Sequence, residues 1–248
     1  MLKTTIELSV IVPAYNEEQR IAPTLASVDD YLAASGITYE IVVVDDGSRD
    51  GTVALVEEIA RKRPAIRCIP TKPNRGKGHA VRVGMLGAVG AIRLMCDADG
   101  SIPAFEIPRV VNPIRMGEVD IAIGSRRADG AQVGRKQPWY RRAWSRVANQ
   151  VVQRVLVRGV RDTQCGFKAF SAEAAVAIFS RCRIDGWAFD LEALALANRM
   201  GFAIREQAVS WEDDPRSRIN PLKDAYRVFR EMLTIRGNLR RGVYGELT

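Results

Sequence analysis

Two acidic turns lie about fifty residues apart, each after a run of apolar residues. The first run, Ile41-Val42-Val43-Val44, ends in Asp45-Asp46-Gly47-Ser48. The second, Ile92-Arg93-Leu94-Met95-Cys96, ends in Asp97-Ala98-Asp99-Gly100. A carboxylate beside a buried strand is costly unless it is paired or binds something. Two carboxylates at i and i+2 after a strand can both turn toward one hard cation. Mg2+ or Mn2+ suits oxygen ligands and usually takes one or two carboxylates together with substrate phosphates. Acidic turns are common, so Asp97 and Asp99 gain weight from their place downstream of a second acidic strand end. Together the two turns suggest a nucleotide pocket beside a metal pocket, and so transfer of a group from an activated nucleotide.

Other polar groups have types and positions that fit this chemistry. Pro13-Ala14-Tyr15-Asn16-Glu17-Glu18 follows an apolar run, with Asn16 expected to cap a helix and Tyr15 and Glu17 expected against a base or ribose. Asp46 is expected to accept from a uracil N–H, while Asp45 has the weaker case and could instead anchor its loop. Asn74-Arg75-Gly76-Lys77-Gly78-His79 is neither a Walker A loop nor a dinucleotide fingerprint, but Lys77 suits a place near phosphate. His79, the one histidine, is expected to pack at a helix start rather than act as a base. Arg126, leaving a strand, can grip phosphate bidentately. The segment from Arg161 to Lys168 reads as too polar for a simple core element. Gly186-Trp187-Ala188-Phe189-Asp190-Leu191-Glu192 sets carboxylates beside aromatics, the pairing that binds sugars; Glu192 could equally be a charge favoured by a helix N-terminus.

The elements that must position these groups alternate. Strand patterns fall at Leu8 to Val12, at 40–44, near Ile66 to Ile69, at 91–96 and at Val119 to Ile123. Helix patterns fall after Asn16 through Leu32, over 51–62, 79–88 and 104–116. This order predicts an α/β fold, a mostly parallel sheet with helices on both faces. Ligands in such sheets sit at the carboxyl ends of the strands. Asp45, Asp46, Asp97, Asp99, Ser125 and Arg126 are all expected at that edge.

The 248 residues fit a single domain, 1–248, with a nucleotide-sugar half over 1–125, an acceptor and sugar half over 126–215, and a basic amphipathic segment over 216–248. The net charge of +8 favours an anionic partner. No nucleic-acid reader motif is recognisable, and acidic strand ends would repel a polyanion. The four scattered cysteines form no CxxC pair, so free thiols are expected. No apolar run reaches the ~20 residues that span a bilayer. From Gly130 to Arg161 there is no acidic residue, and Trp144, Val147, Val151 and Val155 share one helical face opposite Arg142 and Arg146. That face suits either core packing or an anionic lipid surface. A second helix is expected from Asn220-Pro221, with Leu222, Ala225, Tyr226, Phe229, Met232 and Leu233 on one side and arginines around the rest.

The chain resembles family 2 glycosyltransferases of the GT-A fold, and within them the dolichyl-phosphate β-glucosyltransferases. The resemblance rests on Val12 to Glu18, Val43 to Ser48, Asn74 to Gly78, Asp97 to Gly100, Gly124 to Arg126, Arg161 to Lys168 and Trp187 to Asp190, in the family's order over roughly 8–235. The opening motifs are widely shared; Asp162 to Lys168 and Trp187 to Asp190 point to the branch whose acceptor is a polyprenyl phosphate.

The resemblance implies inverting transfer of glucose from UDP-glucose to a dolichyl or undecaprenyl phosphate, with Mg2+ or Mn2+ on Asp97 and Asp99. Pro13, Tyr15, Glu17, Asp45, Asp46, Lys77 and Asp97-Ala98-Asp99 would hold the nucleotide sugar. Arg126, Arg135 and Arg141 would hold the acceptor phosphate. Gln164, Lys168, Trp187 and Asp190 would face the sugar. The catalytic set would be Asp97, Asp99, Arg126, Asp162 and Asp190, with Asp162 and Asp190 orienting the sugar. The family's eukaryotic members carry an N-terminal anchor and none is expected here, so membrane contact is expected to be peripheral, at the cytoplasmic face of an anionic membrane. A GDP-mannose or UDP-N-acetylhexosamine donor and a soluble acceptor stay open, as does a homodimer.

Overall fold

The computed structural model describes residues 5–131, 152–153, 156–157, 159–212 and 221–247. Seven strands form one sheet in the order β3-β2-β1-β4-β6-β5-β7. They are β1 (Leu8–Ala14), β2 (Tyr39–Asp45), β3 (Ile66–Pro70), β4 (Ile92–Cys96), β5 (Ile121–Ser125), β6 (Phe167–Ser171) and β7 (Ile204–Ala208). The helices are α1 (Ile21–Ser35), α2 (Thr52–Lys62), α3 (Lys77–Gly87), α4 (Ile107–Arg115), α5 (Ala172–Phe179), α6 (Phe189–Arg199) and α7 (Pro221–Arg240). The α/β class and the mostly parallel sheet are as expected. The continuous apolar runs of β1, β2 and β4 are buried on both faces, which is why they contain no alternation.

β6 is the strand that the sequence hides. It runs antiparallel between β4 and β5, with Cys96 opposite Phe167 and Ile123 opposite Lys168. Lys168 lies in the middle of the sheet at 1% exposure, so a segment read as too polar for the core is part of it. Because β6 is reversed, its first residue lies at the edge where β4 ends. The residue before it, Gly166, is therefore brought against Asp97.

Asn16 does not cap α1. It adopts φ 55°, in the left-handed region that asparagine tolerates, and the helix begins five residues later at Ile21. The intervening turn is stitched to the loop after β2. The Asn16 N–H donates to Ser48 Oγ at 2.8 Å, Asn16 Oδ1 accepts from the Arg49 N–H at 2.8 Å, and the Glu17 N–H donates to Thr52 Oγ1 at 2.8 Å. Two loops at the carboxyl edge of the sheet thus become one platform. β5 begins two residues later than the pattern suggested, and a 3-10 turn at Ala104–Glu106 precedes α4. The 142–155 helix pattern falls largely outside the described residues.

Candidate active site

A cavity of ≈ 450 Å³ opens at the carboxyl edge, within the range usual for small-molecule sites. It gathers Pro13, Tyr15, Glu17, Asp46, Lys77, Asp97, Ala98, Asp99 and Trp187 from five separate segments. Of the residues expected on the nucleotide sugar, only Asp45 stays outside. Its Oδ2 accepts from the Gly47 and Ser48 N–H groups, both at 3.0 Å, and so shapes the turn after β2.

Asp46 lines the cavity but is already engaged. At 2% exposure, its carboxylate accepts from the Arg75 N–H at 3.1 Å and the Gly76 N–H at 2.6 Å. It holds the loop that delivers Lys77, a task that sequence reasoning gave to no residue. His79 sits in the first turn of α3, with Nδ1 3.5 Å from Asp46 Oδ1 and 9% exposure, a packed position rather than that of a solvent-facing base. Glu17 is clamped by Arg20 through two contacts of 2.6 and 2.7 Å.

Within the cavity, Lys77 Nζ lies 2.6 Å from Asp97 Oδ1 and 5.5 Å from the Trp187 ring centroid. Burial disfavours the charge on Lys77, but Asp97, Asp190 and Asp99 outweigh it and raise its pKa. The lysine therefore stays a cation. The turn carrying the two aspartates is held from below: Thr24 Oγ1 donates to the Ala98 carbonyl at 2.9 Å, and the Ser101 N–H donates to Asp99 Oδ1 at 3.0 Å.

These residues fit a hard divalent cation. The donors are carboxylate oxygens, and Gly166 leaves room for one of them: a Cβ there would overlap the Asp97 carboxylate. Among the described residues no cluster of three or more acidic, histidine or cysteine ligands occurs. That suits a cation which completes its shell with substrate phosphates and water.

Several expected site residues do not line this cavity. Asp162 and Arg126 do not line the cavity; they bind each other, through Arg126 Nε and Nη2 at 2.8 Å each, and Asp162 also accepts from the Arg126 N–H at 2.9 Å. Burial works against both charges. The mutual contact wins, raising the Arg126 pKa and lowering that of Asp162. Arg126 also lies 5.6 Å from the Trp211 ring centroid.

Asp190 and Lys168 are likewise a buried pair, 2.7 Å apart at 5% and 1% exposure, and Lys168 Nζ donates also to the Cys165 carbonyl. Burial pushes the Asp190 carboxyl up despite Lys168 and Lys77. A buried lysine needs such a partner, and neither residue lines the cavity. Gln164 is exposed and outside the cavity. Arg135 and Arg141 lie outside the described residues.

Three lining residues with polar side chains were not among the expected site residues: Arg20, Asn74 and Arg227. Glu192 is fully buried and accepts from the Arg183 and Ile184 N–H groups and from the Tyr244 hydroxyl. It lies in the first turn of α6, as a charge favoured by a helix N-terminus would, and it also joins α6 to the C-terminal segment. The four cysteines are free thiols, and burial pushes Cys165 up to about 12 and Cys68 to about 11.

Comparison with known proteins agrees with this geometry. The glycosyl transferase family 2 model matches residues 9–179. A dolichyl-phosphate beta-glucosyltransferase of Dictyostelium discoideum is 37% identical over 96% of this chain and 76% of its own length. The Homo sapiens protein of that name is 34% identical over 94% and 75%, and the Saccharomyces cerevisiae one 32% over 96% and 77%. Among solved structures, Mycobacterium tuberculosis glucosyl-3-phosphoglycerate synthase with Mn2+, UDP-glucose and phosphoglyceric acid superposes with a TM-score of 0.67. It is 21% identical, over 93% of this chain and 80% of that one, a likeness of fold. With a matching family model and relatives of this identity over nearly its whole length, the chain belongs to glycosyl transferase family 2 and is a glycosyltransferase of the GT-A fold.

Proposed function

We propose that the protein transfers glucose from UDP-glucose to the phosphate of a polyprenyl lipid, dolichyl or undecaprenyl, with inversion at the anomeric carbon. The observation that carries this is the meeting of Asp97, Asp99 and Lys77 in one cavity with Tyr15 and Trp187. The relatives named dolichyl-phosphate beta-glucosyltransferase support the choice of sugar and acceptor. Tyr15, 40% exposed, offers a face to the base, and Trp187, 37% exposed, offers one to the sugar.

A divalent cation on Asp97 and Asp99, Mg2+ or Mn2+, would stabilise negative charge on the departing diphosphate. Lys77 donates to the same oxygens. The nucleophile is a phosphate oxygen. A phosphomonoester has its second pKa near ~6, so it is largely dianionic at neutral pH and needs no strong base. The packed position of His79 is consistent with that. Of the three arginines expected on the acceptor phosphate, Arg126 is the one described; it does not line the cavity, and its Nη1 stays outside the Asp162 contact.

The donor is tested by thermal shift with Mn2+. UDP-glucose should raise the midpoint more than GDP-mannose or a UDP-N-acetylhexosamine, because a ligand that binds the folded state stabilises it by its affinity. A larger shift with GDP-mannose would replace the donor.

Membrane contact is peripheral in this proposal. Among the described residues no helix is long and apolar enough to cross a membrane. On α7, Tyr226, Phe229 and Leu233 are 66%, 50% and 48% exposed, and helical spacing sets Arg230, Arg236 and Arg240 on the same face. An outward face that mixes apolar groups with arginines suits an anionic lipid surface. The protein should float with anionic liposomes, less so at high salt and less so after Phe229→Ser with Leu233→Ser. Flotation that ignores both salt and the double substitution would remove this part of the proposal.

A further inference from the structure

α7 begins well beyond the residues matched by the family model, yet it reaches the cavity. Its Arg227 lines the same space as Lys77, Asp97 and Asp99. The Arg227 side chain is 54% exposed, and its Nε–H donates to Glu231 Oε1 at 3.1 Å, one turn further on. Among the described residues this is its one hydrogen bond, so both Nη groups keep their donors.

Glu231 is more than a surface partner. Its side chain is 18% exposed, and its Oε2 accepts from the Ala188 N–H at 2.8 Å. The carboxylate packs directly on Gly186, where a Cβ would overlap it. One carboxylate thus ties α7 to the turn that carries Trp187 into the cavity, and at the same time orients Arg227.

The charges on the cavity wall show what Arg227 adds. Lys77 is matched by Asp97 and Arg20 by Glu17, all four of them lining residues. The carboxylate that holds Arg227 does not line the cavity. Arg227 therefore brings positive charge into a space whose remaining carboxylates, Asp46 and Asp99, are negative.

We infer that Arg227 is a phosphate-binding residue of the site and that Glu231 is the positioning residue which aims it and fixes the 186–188 turn. This rests on the proposed transfer from a nucleotide sugar and adds a residue to it. The ligand is a phosphate oxyanion, from either the donor diphosphate or the acceptor phosphate. A guanidinium with both Nη groups available can grip two such oxygens.

The test has two arms, calorimetric binding of UDP with Mn2+ and steady-state kinetics with a short polyprenyl phosphate. Arg227→Ala should weaken UDP by about tenfold or more, the scale of a charge-assisted contact. That result would place the donor diphosphate on Arg227. If UDP affinity holds while KM for the lipid phosphate rises by about tenfold at nearly constant kcat, the acceptor phosphate is the ligand. Arg227→Lys should restore part of the loss. Glu231→Gln and Gly186→Ala should shift the same parameter in the same direction by less, with the thermal midpoint held. Gly186→Ala is informative because it displaces only the tip of a flexible side chain. Unchanged UDP affinity and unchanged KM in Arg227→Ala overturn the inference and leave the wild-type reaction standing. A wild-type protein that neither binds UDP nor makes product overturns the proposed function and this inference together.

Discussion

Asp99→Ala is expected to abolish transfer, a fall of at least about 100-fold in kcat, with little change in thermal midpoint. Asp99 is one of only two carboxylates that the turn after β4 offers to a cation, and among the described residues no group of three His, Cys, Asp or Glu side chains could hold one. Losing one of two anchors removes most of the stabilisation of charge on the leaving diphosphate, and losing a single preorganised group at a developing charge costs ~100- to 1000-fold. The turn itself should survive. Thr24 still binds the Ala98 carbonyl, and Ala98 is buried at 5% exposure. Mn2+ affinity measured with UDP present should fall in parallel with kcat, whereas a merely structural role would lower the midpoint first.

Gly166→Ala is expected to cost about as much without touching any carboxylate. The antiparallel course of β6 sets Gly166 beside Asp97, and the three atoms nearest to an added Cβ all belong to the Asp97 side chain. A close-packed interior offers no slack for a methyl group at that point. The carboxylate must swing away from Lys77 and from the cation it would share with Asp99. Because the clash is with a side chain and not with backbone, the fold should persist. Circular dichroism and thermal midpoint near wild type, with transfer down about 100-fold, is the expected pattern. Wild-type transfer in this variant would show that the position of Asp97 does not matter.

The strands that carry the acidic turns were legible because central parallel strands are nearly all apolar, here with Ser9 and Arg93 as the breaks in β1 and β4. β6 was not, because its central Lys168 reads as solvent-facing. Only the fold brings Asp190, twenty-two residues on, to neutralise it. The same reason hid the pairing of Asp162 with Arg126 and of Asp190 with Lys168. Their residue types fit catalysis, but their partners, Arg126 and Lys168, are distant in sequence and invisible to spacing. The loop after β1 misled differently: Asn16 is a good cap by type, yet its left-handed backbone and its bonds to Ser48 and Arg49 put it in a turn. Arg227 was seen only as one of many arginines. Its i, i+4 relation to Glu231 is the signature of an ordinary solvated helix face. Glu231 has no sequence signal that it reaches across to Ala188.

The lipid acceptor and the glucose donor come together in one measurement: radiolabelled transfer from UDP-glucose to a short polyprenyl phosphate, with Mn2+ or Mg2+, by the wild-type protein and by Asp99→Ala. The result expected is a labelled lipid product from the wild type that Asp99→Ala does not make and that a chelator prevents. No labelled lipid from the wild type, or equal product from the two proteins, would contradict a cation-assisted transfer in this cavity.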